Sequence, residues 1–250
     1  MVSAAGKRFI AASSIDILAL AFGYFALVPD DIPYIPENFD LWAKLGGAII
    51  IILIVLLSKY VLTYRPVLKQ KDKYLSTFFK DHLRMIEEDI EQHAAGDPSV
   101  RANIMRSSTT RPWSEEEFNI AYYHSENDYV DGELKLKFSE NQGVVGHTYA
   151  SGTESIAVSR SQISGWPDGW STTGTQDAVT NHLETIIGIP VYRPSDDNEE
   201  ADPVAVLIID SEDPFDSIIQ RNGRSIDEAL KHSEIGDKLR THASNIGILL

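Results

Sequence analysis

Apolar positions along this chain fall into three patterns. The first is continuous. Phe9 to Val28 reads FIAASSIDILALAFGYFALV, 20 residues with Asp16 as the one charge. A helix needs about 20 apolar residues to cross a bilayer core. The segment that follows, PDDIPYIPENFD, has no small-x-small cleavage pattern, which argues against a signal peptide. Leu45 to Leu57 (LGGAIIIILIVLL) is a second apolar run. With its flanks, 41–62, it is long enough to span, with Trp42 and Tyr60 as interface anchors. The pattern predicts a transmembrane helical hairpin within residues 1–64.

The second pattern is helical. Pro66 suits the first turn of a helix. Leu68, Leu75, Phe79, Leu83, Ile86 and Ile90 then follow at steps of seven, four, four, three and four. The string AAGDPS stops the pattern, because Gly96 can cap and Pro98 cannot continue a helix. Residues 65–96 are therefore expected to form a connector helix. It could supply a parallel coiled-coil seam, or it could pack its apolar face on a sheet. Bulky Phe78 and Phe79 favour packing, with a dimer seam near the membrane end.

The third pattern is alternation. Val100–Ser107, Phe118–His124 and Leu134–Phe138 read as strands, the last alternating strictly. NQGVVGHTYASG predicts a glycine turn with a short helix. Ile156–Asn181 shows little periodicity and reads as a long loop. Thr185–Tyr192 and Val204–Asp210 read as a hairpin joined by the acidic RPSDDNEEAD. Ile226–Ile248 reads as a terminal helix or two, weakened at Gly236. Sequential hairpins with helices at both ends imply an α+β plan with a mainly antiparallel sheet over 97–250.

Charge changes the picture in two ways. The loop between the apolar runs carries Asp30, Asp31, Glu37 and Asp40 and no basic residue, while Lys7, Arg8, Lys59, Arg65, Lys69, Lys71 and Lys73 lie outside. The positive-inside rule then places both termini and the sheet domain on the cytoplasmic side of the cell (inner) membrane, with Lys44 as a counter-signal. Residues 65–250 carry 18 Lys/Arg against 32 Asp/Glu, a balance of −14. A domain so acidic repels a polyanion, so no nucleic-acid partner is expected. Asp16, within an apolar run, is either a contact between helices or subunits or a tolerated acid near the interface. There is no cysteine, which removes disulfides, thiolate metal sites and thioether-linked chromophores.

Beyond these patterns, GVVGHTYASG, then TIIGIPVYRP and then PVAVLIIDSEDP resemble a GAF domain over about residues 66–250. The resemblance rests on the glycine-flanked turn opening a short helix, on Ile189-Pro190-Val191, and on the strand Val204–Asp210. It implies a six-stranded antiparallel sheet with helices on one face and a small-molecule pocket on the other. The Asn-Lys-x-x-Phe-x-x-x-Asp-Glu signature of cyclic-nucleotide binders is absent, and Ala205 stands where glycine is common. Without cysteine, the bilin-binding and methionine-sulfoxide-reducing roles are excluded.

Two places are candidates for a ligand. One is the turn itself, where Gly143 and Gly146 either open a helix N-terminus to an anion or pack Val144, Val145 and Tyr149 under the sheet. The other is the loop bearing Trp166, Trp170, Ser171, Thr172 and Thr173, suited to a planar ligand or to plugging the core edge. The expected ligand-binding set is His147, Thr148, Tyr149, Trp166, Trp170, Thr172 and His182. Asp210 and Glu212 could bind a ligand amine or begin the turn that Pro214 suggests. No nucleophile elbow, P-loop, paired zinc ligands or phosphoacceptor block is present, so no catalytic or metal residue is named and the cofactor is unknown. Converging His147, His182 and a carboxylate would point instead to an enzyme.

These readings combine into a membrane-anchored cytoplasmic sensor. It binds a small molecule and relays it through the connector helix to the membrane hairpin, as a homodimer or to a partner signalling protein. Two alternatives stay open. One is a membrane effector whose spans assemble when the domain binds a nucleotide second messenger. The other is a non-binding dimerisation or docking module.

Overall fold

The computed structural model describes residues 49, 52, 53, 56, 65–107, 116–125, 128–152, 155–160, 167, 170, 172–194 and 202–250. The chain divides into two units, Met1–Tyr74 and Leu75–Leu250, so the division falls inside the connector helix. That helix, α1, runs Arg65–His93. In the first unit, Ile49, Ile52, Leu53 and Leu56 are also helical.

The expected fold class is corrected in its membrane part. Among the described residues no helix is long and apolar enough to cross a membrane. The long helix before the sheet is α1, and its sequence places charged residues in nearly every turn. The expected spans, 9–28 and 41–62, lie outside the described residues apart from the four isoleucines and leucines just named.

In the second unit the α+β, antiparallel plan holds. The elements are β1 Val100–Ser107, β2 Glu117–Tyr123, β3 Phe138–Ser139, α2 Gly143–Ser151, β4 Ile156–Ser159, α3 Gly174–Thr180, β5 Thr185–Val191 and β6 Ala205–Ser211. Three helices close the chain: α4 Phe215–Ile218, α5 Ile226–Lys231 and α6 Glu234–Leu249. The six strands form one sheet in the order β3-β2-β1-β6-β5-β4, with every pairing antiparallel.

Alternation sorts the strand side chains onto two faces. Ala102 and Ile104 of β1, Ile187 and Ile189 of β5, and Leu207 and Ile209 of β6 meet Phe79, Leu83, Ile86 and Ile90 of α1 and Leu239, Ala243 and Ile246 of α6. The expected packing of the connector helix on the sheet is thus realised from Phe79 onward. Each of the Leu, Ile and Phe side chains among them contributes about 1.5–3 kcal/mol on full burial. The opposite face carries Met105, Ile186, Val206 and Ile208, covered by Val144 and Val145 of α2 and by Leu183.

Two segments depart from the alternation pattern. Leu134–Phe138 is not a strand: Glu133–Lys135 forms a 3-10 turn, and β3 is confined to Phe138–Ser139, paired with Glu117 and Phe118. The Glu133 carboxylate is held by Arg101 and by the Val130 N–H, which pulls this stretch inward instead of along β2. Ile156–Asn181 is not wholly a loop either. It contributes the edge strand β4 and helix α3, whose start is a reciprocal capping box of Thr173 and Gln176.

Candidate ligand-binding site

The opening of α2 is a packing device. A Cβ on Gly146 would collide with the Ser139 carbonyl oxygen and come within 2.8 Å of the Asn141 nitrogen. Only glycine lets the helix start this close to the chain that leads into it. Val144 and Val145 are thereby pressed onto the sheet. The N-cap residue Gln142 makes no side-chain cap bond to the helix. Its Oε1 instead accepts from the Ser139 N–H at 3.0 Å and from Gln176 Nε2 at 3.2 Å, which ties α3 to the same turn. Further along, α2 crosses β5 at Gly188, where Thr148 Oγ1 and Val144 Cγ1 occupy the space a side chain would take.

Between α2 and the sheet lies a cavity of about 50 Å³. Met105, Ile120, Val144, Val145, Ile186 and Ile208 give it apolar walls, and Asn103, Glu133 and Asp210 give it a polar end. The polar end follows from register. Arg101, Asn103 and Met105 are alternate residues on the same face of β1, and Arg101 pairs with Asp210 across the β1–β6 ladder. Asn103 pairs there with Ile208, one apolar wall of the cavity.

One guanidinium organises this end. Arg101 Nε donates to Asp210 Oδ1 at 2.5 Å, Nη2 donates to Glu133 Oε1 at 2.7 Å, and Nη1 donates to Glu133 Oε2 at 3.1 Å and to the Asp128 carbonyl. The guanidinium lies 4.5 Å from the centre of the Tyr129 ring, a cation–π contact. Asn103 Nδ2 donates to Asp210 Oδ2 at 3.3 Å. The Tyr129 hydroxyl is beside the Asn103 amide, yet Tyr129 Oη and Asn103 Oδ1 are both buried with no hydrogen bond of good geometry.

Charge at this end is out of balance. Two carboxylates, Asp210 and Glu133, face one guanidinium. Burial pushes the Asp210 carboxyl up to about 6, and Glu133 and Glu87 push the same way against the pull of Arg101. Burial likewise raises the Tyr129 phenol, which stays a neutral hydroxyl.

The expected ligand residues are dispersed. His147 stacks on Trp170, with ring centroids 4.4 Å apart and planes 16° from parallel, and burial lowers the His147 imidazole below its ordinary value. Thr148 is wholly buried against β5, and its Oγ1 has no partner. Tyr149 packs on Phe118 at 4.6 Å, and burial with nearby Glu116 pushes its phenol to about 12. Thr172 Oγ1 donates to Asp177 Oδ1 at 2.5 Å beside the start of α3. His182 sits in the turn after α3 with Nε2 buried and unpartnered. Trp166 lies outside the described residues. None of these six described side chains lines the cavity below α2; Trp170 instead lines a wide groove of about 960 Å³ between β4 and α5.

Asp210, read from the sequence as a residue able to bind an amine, does line the cavity. Arg101, Asn103, Tyr129 and Glu133 belong to no motif of the sequence. The signal available was VRANIM, in which a charge and an amide occupy positions in phase with Met105 on a core-facing strand. Among the described residues no group of three or more His, Cys, Asp or Glu is placed to hold a metal ion. No protein-family model matches the chain, and no curated protein matches it significantly.

Proposed function

We propose that residues 75–250 are a GAF-like sensor domain whose ligand occupies the cavity between α2 and the sheet. One observation carries the reading: the cavity is apolar along its walls and ends at Asn103, whose buried Oδ1 the protein leaves unpartnered. A few convergent polar groups in an otherwise apolar recess are what a small-molecule site requires. Buried polar atoms without partners cost free energy unless something satisfies them, and a ligand can. The six-stranded antiparallel sheet, the helices α1 and α6 on one face and the short glycine-opened helix on the other support the GAF-like assignment.

Binding has a short route to α1. Glu87 on α1 accepts from the backbone N–H of Ala102 at 2.8 Å, next to Asn103 at the cavity, and its other oxygen contacts His124 Nδ1 at 3.0 Å. A ligand that shifts Asn103 therefore acts on the strand to which α1 is bonded, and α1 passes the change to a second copy or a partner signalling protein. Melting temperatures of the full chain across a metabolite library test the reading. A compound that raises the melting point and loses its effect in Asn103→Leu supports it; a flat profile sinks it.

The cavity's size favours a second reading. Its 50 Å³ is well below the roughly 300 Å³ of sites for drug-sized ligands. A domain with a filled recess would act by docking alone, and the flat melting profile is the result that reading expects.

A further inference from the structure

Three features of the second unit stand outside the packing logic of the fold: the groove beside β4, the histidines at the α1–α6 contact, and the polar end of the cavity. The groove has an unpaired strand edge but nothing that indicates its occupant. The histidines meet edge to face and line neither the groove nor the cavity. The polar end is a built site, and it specifies its ligand's chemistry.

We propose that the cavity binds a small primary ammonium ion, held by the Asp210 carboxylate and Asn103 Oδ1, with a short alkyl body between Ile120, Ile186 and Ile208. The inference rests on the sensor reading above and names its ligand class. Four features lead to it.

The first is donor and acceptor inventory. Every cation at the polar end is used: Arg101 spends its donors on Asp210, Glu133 and the Asp128 carbonyl. Asn103 is 1% exposed, lines the cavity, and has an acceptor oxygen with no partner. An ammonium group has three donors and no acceptor, which complements a set of oxygens.

The second is charge. Asp210 and Glu133 share one guanidinium, and Glu87 adds a further negative field from α1. A bound cation balances this end, whereas a carboxylate or phosphate would meet two buried carboxylates. The chain's formal net charge of −15 draws cations toward it as well.

The third is size. One water needs roughly 10–15 Å³ of such space, so about 50 Å³ admits a ligand of only a few heavy atoms. The fourth is the walls, which are apolar side chains from five strands and α2 with no further charge. They suit an alkyl chain rather than a sugar or a nucleotide.

Binding is linked to a proton. Asp210 must be ionised to hold the ammonium, so an Asp210 that carries a proton releases it on binding. The groups that face Asp210 are Arg101 from β1, Glu133 and Tyr129 from the segment before β3, and Glu87 from α1. Below the Asp210 titration, affinity falls by about tenfold per pH unit; above it, affinity is flat.

The test uses the full chain with isotope-labelled isoleucine and methionine methyls, titrated with ethylammonium, ethanol and acetate. Ethylammonium alone is expected to shift Ile120, Ile186, Ile208 and Met105, with at least a tenfold loss of affinity in Asp210→Asn and the pH profile just described. Asn103→Leu, which keeps the carboxylate, is expected to weaken binding too and serves where Asp210→Asn fails to fold. If ethanol or acetate shifts these methyls as strongly, the ammonium assignment is overturned while the sensor reading stands. If no probe shifts them, the proposal is overturned, and the metabolite screen separately reports whether the cavity binds anything else.

Discussion

Arg101 and Asp210 face each other as a register pair of β1 and β6, and the Arg101 Nε–H donates to Asp210 Oδ1 at 2.5 Å. The same guanidinium grips Glu133, so a single side chain fastens the segment before β3 to the sheet. Removing it strands two buried carboxylates.

Arg101→Met is expected to cost about 3–5 kcal/mol in chemical denaturation, the usual penalty for breaking a buried ion pair from one side. Arg101→Lys should recover little, because an ammonium cannot span Asp210 and both oxygens of Glu133. A full recovery by lysine would show that charge alone, not the fork, does the holding.

Asp210 gives a pH signature. Its folded-state value of about 6 lies above the ordinary 3.8, so the folded state prefers the protonated acid. The stability tied to this group is present below 3.8 and is lost as pH rises through about 6. Asp210→Asn should therefore flatten the stability curve over that window, by on the order of a few kcal/mol between its ends. Parallel curves for the two proteins would refute the assignment.

His82 carries the opposite sign. Burial, and then the neighbouring His242, lower its imidazole below 6.5, and the two rings meet edge to face with centroids 5.2 Å apart. Its contribution is present above 6.5 and is lost as pH falls through the lowered folded value. His82→Leu should lessen the drop in melting temperature on acidification from neutral pH. An unchanged drop would place acid sensitivity elsewhere.

Gly188→Ala would drive a methyl into Thr148 Oγ1 and to within 2.8 Å of Val144 Cγ1. Overpacking of this kind costs about 1–3 kcal/mol. Thr148→Ala in the same chain should return part of that loss, because it removes the nearer obstacle. Additive losses in the double variant would mean that α2 shifts as a body instead of clashing locally.

Much of the architecture was legible in local patterns. Val100–Ser107 and the hairpin of β5 and β6 alternate or run apolar because both faces of the central strands are covered. Phe79, Leu83, Ile86 and Ile90 mark the buried stripe of α1 through helical spacing. Thr173 and Gln176 mark the start of α3 through capping, a signal available in the sequence and obscured by the tryptophans and glycines around it. The alternation of LKLKF pointed to a strand, but alternation specifies a face and not a partner. The Arg101–Glu133 bond, a contact across 32 positions of chain, turned that segment inward.

The sequence by itself determined the antiparallel α+β plan, the apolar stripe of α1 and the acidity of the domain, because periodicity, caps and charge are properties of neighbouring residues. Only the tertiary structure decided where the cavity lies. It separated His147, Thr148 and Tyr149 from the cavity by turning one face of α2 to β5. It brought Arg101, Asn103, Glu133 and Asp210 together through strand register and one folded-in turn. Residues more than a hundred positions apart meet because hydrogen-bonded strands place them opposite each other, and no local pattern encodes that pairing.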